Sequence, residues 1–189
     1  MYFKREWLPD THFNILARLL PVKMRSALTN LKNVRKVSFS IPSQKIVAEP
    51  PQKFKDFAKH IVDTEVAEKI PGSYTSYAFE NEHEYYSDLQ ISRFGITTKR
   101  AGWDCLRHYE IAANGAVICF KNLDEKPETC APHGLVDGFN CISYKTYDEL
   151  LSKVTKITDT EYNELQRASI SWAIKNSCIA KAEQMVQTN

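Results

Sequence analysis

The stretch from Phe94 to Phe120 constrains this chain more than any other. Phe94-Gly95-Ile96-Thr97 is a short apolar run, a polar turn follows, and Leu106, Tyr109 and Ala113 recur at helical spacing. Ala116 to Phe120 is a second apolar run. Strand, turn, short helix and strand make one β-α-β step of an open α/β sheet. In such sheets ligands gather beyond the C-terminal ends of the strands, where helix N-termini offer unpaired N–H groups to anions. Thr97, Thr98, Lys99 and Arg100 fall at that edge, and Asp104, Arg107 and Glu110 follow in the turn and on the first turns of the helix. Two cations and a carboxylate placed there suit a ligand with a diphosphate and a pair of sugar hydroxyls, which is a nucleotide or a nucleotide-sugar.

The composition narrows the class. A length of 189 residues suits one domain with a proper core. With 25 basic and 23 acidic residues the net charge is only +2, which gives no electrostatic case for nucleic acid. No apolar run approaches the roughly 20 residues that span a bilayer. The N-terminus is charged and aromatic rather than signal-like. A cytoplasmic protein, at most peripheral at the inner membrane face, is therefore expected. The five cysteines are scattered and odd in number, as reduced thiols are. Neither G-x-G-x-x-G nor G-x-x-x-x-G-K-[ST] occurs, which removes the usual NAD and P-loop readings.

Along the chain, a helical stretch is expected from Asp10, interrupted at Pro21. Arg35 to Ile41 alternates as a strand does, and Pro42 to Pro51 is a loop. Gln52 to Ile70 shows helical spacing closed by Pro71-Gly72. Tyr74 to Phe79 reads as an aromatic strand, and Glu82 to Leu89 as a short helix. Strand 93–97, helix 104–114 and strand 116–120 come next. A long polar loop runs from Lys121 to Phe139, followed by a strand from Cys141 to Tyr144. Thr146 to Ile157 is a helix with Thr146 and Glu149 as a capping box. Thr158 to Gln187 is a long helical pattern with a break near Asn176. The alternation predicts a Rossmann-like α/β domain over residues 35–189, with a mainly parallel open sheet of five or six strands and helices on both faces. Residues 1–34 form an N-terminal arm.

Each polar residue has a structural reading beside the functional one. Asp104 is placed to cap the helix that follows it. Arg107 and Glu110, three apart on one face, suit a surface ion pair as well as a ligand. His108 faces either phosphate or solvent. Tyr85 and Tyr86 suit packing, with Tyr86 also able to stack on a base. Cys119, Cys130, His133 and Cys141 contain a C-x-x-H half-site for zinc, but two of the cysteines sit in apolar strands. Cys105, at a helix start beside Arg107, has the setting of an activated thiol but no companion base at a recognisable spacing. No metal or cofactor is expected.

The string Gly102-Trp103-Asp104-Cys105-Leu106-Arg107-His108-Tyr109-Glu110-Ile111-Ala112-Ala113-Asn114-Gly115 resembles the G-x-D-x-x-R-x-x-E-x-x-A-x-G stretch of GT-B glycosyltransferases. The strand, loop, strand and helix that follow keep that family's C-terminal order, so the resemblance covers about residues 85–185. It is nearer to the spore-protein-like and exostosin-like branches than to the best-known retaining enzymes.

The resemblance implies a C-terminal, donor-binding domain. Glu110 would accept from the ribose hydroxyls. Arg107, with Thr98, Lys99, Arg100 and His108 about it, would neutralise the diphosphate leaving group. His133, in a loop that approaches the donor sugar in the family, and Asp104 are the implied catalytic candidates. The implied partners are a nucleotide-diphosphate sugar as substrate and a glycan or glycoconjugate acceptor, in the making of a polysaccharide. A separate acceptor-binding domain or a second copy of the chain is a further partner, because a full GT-B enzyme has two Rossmann-like domains. Position 102 departs from the pattern: many retaining members carry a glutamate eight residues before the second one, and Gly102 stands here. The rival reading is a non-catalytic half-enzyme or interaction module.

Overall fold

The computed structural model describes residues 2–6, 19, 21 and 34–187. The helical stretch expected from Asp10 lies outside the described residues. Six strands are present among them: β1 (Tyr2–Lys4), β2 (Val34–Lys36), β3 (Lys55–Phe57), β4 (Ser92–Thr98), β5 (Val117–Lys121) and β6 (Cys141–Tyr144). The last four form one sheet in chain order, with every neighbouring pair parallel. Parallel neighbours require crossovers. Helices α1 (Thr64–Ala67) and α2 (Glu82–Ile91) connect β3 to β4, and α3 (Leu106–Ala113) connects β4 to β5. A loop with one 3-10 turn at Leu123–Glu125 leads to β6, and α4 (Tyr147–Lys156), α5 (Asp159–Lys175) and α6 (Cys178–Gln187) complete the order.

Alternate residues of the strands feed two cores, one on each sheet face. Ile118, Phe120 and Cys141 pack with Tyr85 and Leu89 of α2, Tyr109 and Ile111 of α3, and Trp172 of α5. Phe94, Ile96, Val117, Cys119, Ile142 and Tyr144 face Val66 of α1, Leu150 and Val154 of α4, and Tyr162 and Leu165 of α5. Phe94, Ile96, Ile118 and Phe120 are at most 1% exposed. Each such side chain contributes roughly 1.5–3 kcal/mol by leaving water. Helix α5 serves both faces by passing the N-terminal ends of the strands. There the Tyr162 hydroxyl donates to the Arg93 carbonyl and the Gln166 amide to that of Gly115. The result is the expected Rossmann-like α/β arrangement, a parallel sheet with helices on both faces. No helix among the described residues is long and apolar enough to cross a membrane.

The sheet also holds α3 close. A Cβ on Gly95 of β4 would stand 2.6 Å from Ile111 Cγ2, so a larger residue there would push α3 off the sheet.

Four expectations need correction. Gln52 to Ile70 is not one helix: it gives β3 and a single helical turn, α1. Its residues are divided between the cores, Ala58 on one face and Phe57, Ile61 and Val66 on the other, because the edge of β4 takes up Lys55–Phe57 as a strand. Arg35 to Ile41 yields only β2, which pairs with β1 outside the main sheet. Tyr74 to Phe79 forms no strand, only a bridge from Tyr74 to His60. The main sheet therefore has four strands. The break at Asn176 is present, with α5 ending at Lys175 and the Asn176 amide donating to the Trp172 carbonyl.

Candidate functional site

Beyond the C-terminal ends of β3 and β4 lies a cavity of about 410 Å³. His60, just after β3, forms part of its wall, with Tyr77, Glu82 and Tyr85 on one side and Cys105, Arg107 and Glu110 of the α3 side on the other. Helical spacing puts Arg107 and Glu110 on one face of α3, and the sheet aims that face at the crevice. A larger cavity of about 730 Å³ lies between the 137–139 loop, α4 and α5. Of its two lysines, Lys153 pairs with Asp137 and Glu149, and Lys156 stands beside Glu161 and Glu164 in the same wall.

In the first cavity Glu82 pairs with Lys45 at 2.5 Å, but among the described residues the arginine does not pair. Arg100 and Arg107 make no ion pair among the described residues. Among the described residues the Arg107 Nη1 has one hydrogen-bonding neighbour, the Cys105 sulfur at 3.9 Å. Burial pushes the Glu110 carboxyl above the usual carboxylate range. Its hydrogen-bond donor is the Tyr86 hydroxyl at 3.3 Å, whose single proton is shared with Glu82 at 3.1 Å. Burial, then the charges of Arg107 and Arg100, hold His60 down at about 4. Its Nδ1 is buried without a partner among the described residues. The rings of Tyr77 and Tyr85 stand edge-on to it at 5.8 and 6.2 Å. The cavity thus offers guanidinium charge, a carboxylate and aromatic walls.

The other expected residues divide. Thr98, Lys99 and Arg100 sit at the end of β4 and on the turn that follows, with the Lys99 ammonium 5.0 Å from the centre of the Trp103 ring. Asp104 is buried and does not cap α3; Cys105 occupies the cap position without a side-chain bond. Asp104 instead accepts from the Phe39 N–H and the Tyr109 hydroxyl, each at 2.8 Å, and burial raises its pKa. Its own N–H donates to Glu6 at 2.9 Å. A Cβ on Gly102 would stand 2.3 Å from that same Glu6 oxygen, so glycine there lets the arm clamp the turn.

His108 is fully enclosed. Its Nε2 lies 3.0 Å from the Trp103 carbonyl and its Nδ1 3.0 Å from the Thr97 hydroxyl. The carbonyl can only accept, so Nε2 carries the proton and Thr97 donates to Nδ1. Burial holds this ring at about 4. His133 stands apart, in the wall of a different cavity, and its carbonyl accepts from the Trp172 indole. Of the expected residues, the structure brings Arg107 and Glu110 together in one cavity wall. It tucks Asp104 and His108 behind that wall and leaves His133 elsewhere.

His60, Tyr77, Glu82 and Tyr85 were not anticipated. The signal available was the density of aromatic residues from Tyr74 to Tyr86, directly after His60. Cys119 and Cys141, weighed as zinc ligands, belong to opposite cores. No three His, Cys, Asp or Glu among the described residues are grouped to hold a metal ion.

Neither a family model nor a curated protein matches this chain. Among solved structures, a glycosyltransferase from Rickettsia africae ESF-5 is similar, with a TM-score of 0.50 at 10% identity, covering 88% of this chain and 60% of that one. At that identity the likeness is one of fold: this chain has a glycosyltransferase-like α/β fold and spans about 60% of the length of the solved chain it matches.

Proposed function

We propose that this chain binds a nucleotide-diphosphate sugar in the cavity beside α3 and serves glycosyl transfer to a glycan or glycoconjugate. One observation carries the reading. Arg107 and Glu110 share a cavity wall beyond the C-terminal edge of the sheet, the arginine without an ion pair among the described residues and the carboxylate with one shared phenol proton. A guanidinium fork fits two oxygens of a diphosphate, and it stabilises the negative charge that grows on the leaving group as the glycosidic bond breaks. Glu110 accepts from the ribose hydroxyls, and Lys99 and Arg100 add charge from the turn. Tyr77 supplies an apolar ring for the base. Asp104 and His108 act by holding the turn that presents Arg107, since their hydrogen-bonding atoms are already engaged.

The second reading is a donor-binding half of a two-domain, GT-B-type enzyme, with the acceptor held by another domain or chain. It is supported by the 60% span of the similar chain. Calorimetry with nucleoside diphosphates and their sugars tests both readings. Binding of a ribonucleotide diphosphate is expected, weakened by about 1.5–3 kcal/mol in Arg107→Ala as a charged hydrogen bond is lost. Glu110→Ala is expected to weaken a ribonucleotide much more than its 2′,3′-dideoxy counterpart. Sugar transfer by the chain alone favours the complete enzyme, and binding without transfer favours the half. Unchanged affinity in both variants would remove the site.

A further inference from the structure

In the cavity beside α3, His60 is the wall residue that the function proposed above leaves without a role. It follows β3 directly, and its ring forms part of the wall. Nδ1 is enclosed, whereas Nε2 keeps open surface, and neither nitrogen has a hydrogen-bond partner among the described residues. The ring is held in place. The Tyr74 N–H donates to the Lys59 carbonyl at 2.7 Å and the Ile61 N–H to that of Tyr74 at 2.9 Å, which pins the backbone on either side of His60. Tyr77 and Tyr85 meet the ring edge-on.

The charges that act on this ring are those of Arg107, on α3, and Arg100, on the turn after β4. From the 72–79 loop and α2 it meets Tyr77 and Tyr85, both kept uncharged by burial. Cys105, in the same wall, is held in the thiol form in the same way. The acids of the wall are engaged elsewhere, Glu82 with Lys45 and Glu110 with the Tyr86 hydroxyl. Beside His60, Lys59 is exposed, and its N–H donates to Asp88, which pairs with Lys55. Burial, then the two guanidinium groups, keep the imidazole near 4, so the empty cavity holds two cations and one neutral ring. A diphosphate reverses that balance. Its charge offsets Arg100 and Arg107, and its oxygens accept a hydrogen bond that the charged ring donates more strongly. The imidazolium has an N–H on both nitrogens, so this holds whichever of them carries the proton at rest.

We propose that His60 becomes a third cation of the site only when the ligand is present: it takes up one proton from solvent as the diphosphate enters and donates to a phosphate oxygen through Nε2. This rests on the nucleotide reading of the cavity and adds a proton to the binding step. A group that gains a proton on binding makes binding tighter as pH falls through its bound-state pKa. With the bound ring returned to the ordinary value of about 6.5, affinity rises about tenfold from pH 7.5 to pH 5.5.

Calorimetry of the full chain with UDP-glucose and GDP-mannose, at both pH values and in two buffers of different ionisation enthalpy, tests the proton. Both phosphates of a nucleotide sugar are esterified, so the ligand has no phosphate monoester to titrate near pH 6. His60→Phe keeps a ring against Tyr77 and Tyr85, and His60→Gln keeps a donor. The gain in affinity on acidification should be about tenfold larger in the unaltered chain than in either variant, with nearly one proton taken up at pH 5.5. Glu110 also gains protons toward pH 5.5, and comparison with the variants at the same pH cancels its part. A second measurement needs no variant to bind. The His60 Cε1–H resonance, assigned by its loss in His60→Gln, should titrate near 4 in the free chain and near about 6.5 with a sugar nucleotide bound. A pH response shared by all three chains, or a ring that the ligand leaves near 4, overturns the inference while the nucleotide reading stands. No binding of either probe at either pH removes both.

Discussion

Thr98 ends β4 and Lys121 ends β5, and the two are direct partners in the sheet register. The charges on the two sides of that pair are handled in opposite ways. On the β5–β6 side, the Lys121 ammonium lies 2.9 Å from Asp63 and 2.8 Å from Glu65. The Tyr144 hydroxyl donates to Asp63 at 3.0 Å, and the Tyr147 N–H to Glu65 at 2.8 Å. Lys121, Asp63 and Glu65 thus each have an internal partner of opposite sign. On the β4–α3 side, Arg100 and Arg107 have none among the described residues, and Glu110 shares one proton with Glu82. One half of the sheet edge is closed by its own ion network. The other pairs Glu82 with Lys45 but leaves its arginines without an ion pair among the described residues, and that difference, more than cavity size, marks the candidate site.

The largest effect expected from this contrast is at Lys121. Its partner Asp63 has a side chain only 5% exposed. Lys121→Met leaves that carboxylate buried with the Tyr144 hydroxyl and the Glu65 N–H but no cation. Removing one member of a buried pair costs about 3–5 kcal/mol. Urea unfolding at pH 7 should show a loss of that size. A loss under about 1 kcal/mol would mean that the network is solvated, and the contrast between the two halves would collapse.

A smaller effect comes from the histidines of the open half. His60 and His108 are each held near 4, against about 6.5 in the unfolded chain. Between those values the unfolded state binds more protons than the folded one, so stability falls as pH falls from about 6.5 toward 4. Below 4 both states are protonated and the loss levels off. Asp104 and Glu110, with raised values, act in the opposite direction nearer the carboxylate range. At pH 5 the histidines prevail, and His108 alone is expected to cost about 2 kcal/mol relative to pH 7. Urea midpoints at the two pH values measure it. A flat profile would show that the rings meet water and that the α3 side is not sealed behind its cavity.

The contrast also bears on what the sequence makes legible. The β4–α3–β5 unit is readable because its apolar residues switch cleanly from strand to helix period and back. The pair Arg107 and Glu110 is readable because three residues of helix fix them on one face. The far wall is not. Phe54, Phe57, Ala58, Ile61 and Val66 have helical spacing, but pairing of Lys55–Phe57 with β4 overrides it and delivers His60 to the crevice. The aromatic run from Tyr74 to Phe79 has strand composition. Its rings pack on one another instead, with Tyr77 5.5 Å from both Phe79 and Tyr85. Burial of Asp104 and His108 is equally invisible in the sequence. For Asp104 it depends on Phe39 and the Glu6 arm, 65 and 98 residues away along the chain, and for His108 on Thr97 and on the Phe120 ring, 4.7 Å from its own.

The smallest stability effects, and the most discriminating, belong to Arg107 and Glu110. Burial raises the Glu110 pKa, so its ionised form is a liability to the folded state at pH 7. Glu110→Gln removes that penalty and keeps an oxygen to accept the Tyr86 proton. It should leave stability unchanged or raise it by up to about 1 kcal/mol. Arg107→Met removes a charge that has no ion-pair partner among the described residues and keeps most of its apolar stem. It should cost less than about 1 kcal/mol. Both variants should nonetheless weaken nucleotide diphosphate binding, since residues set for a ligand rather than for the fold are those whose replacement spares stability and harms binding. Thermal melts with and without a nucleoside diphosphate read both quantities in one experiment. If either variant loses the 3 kcal/mol or more expected at Lys121, its side chain is scaffold, and the open half of the edge is as self-contained as the closed one.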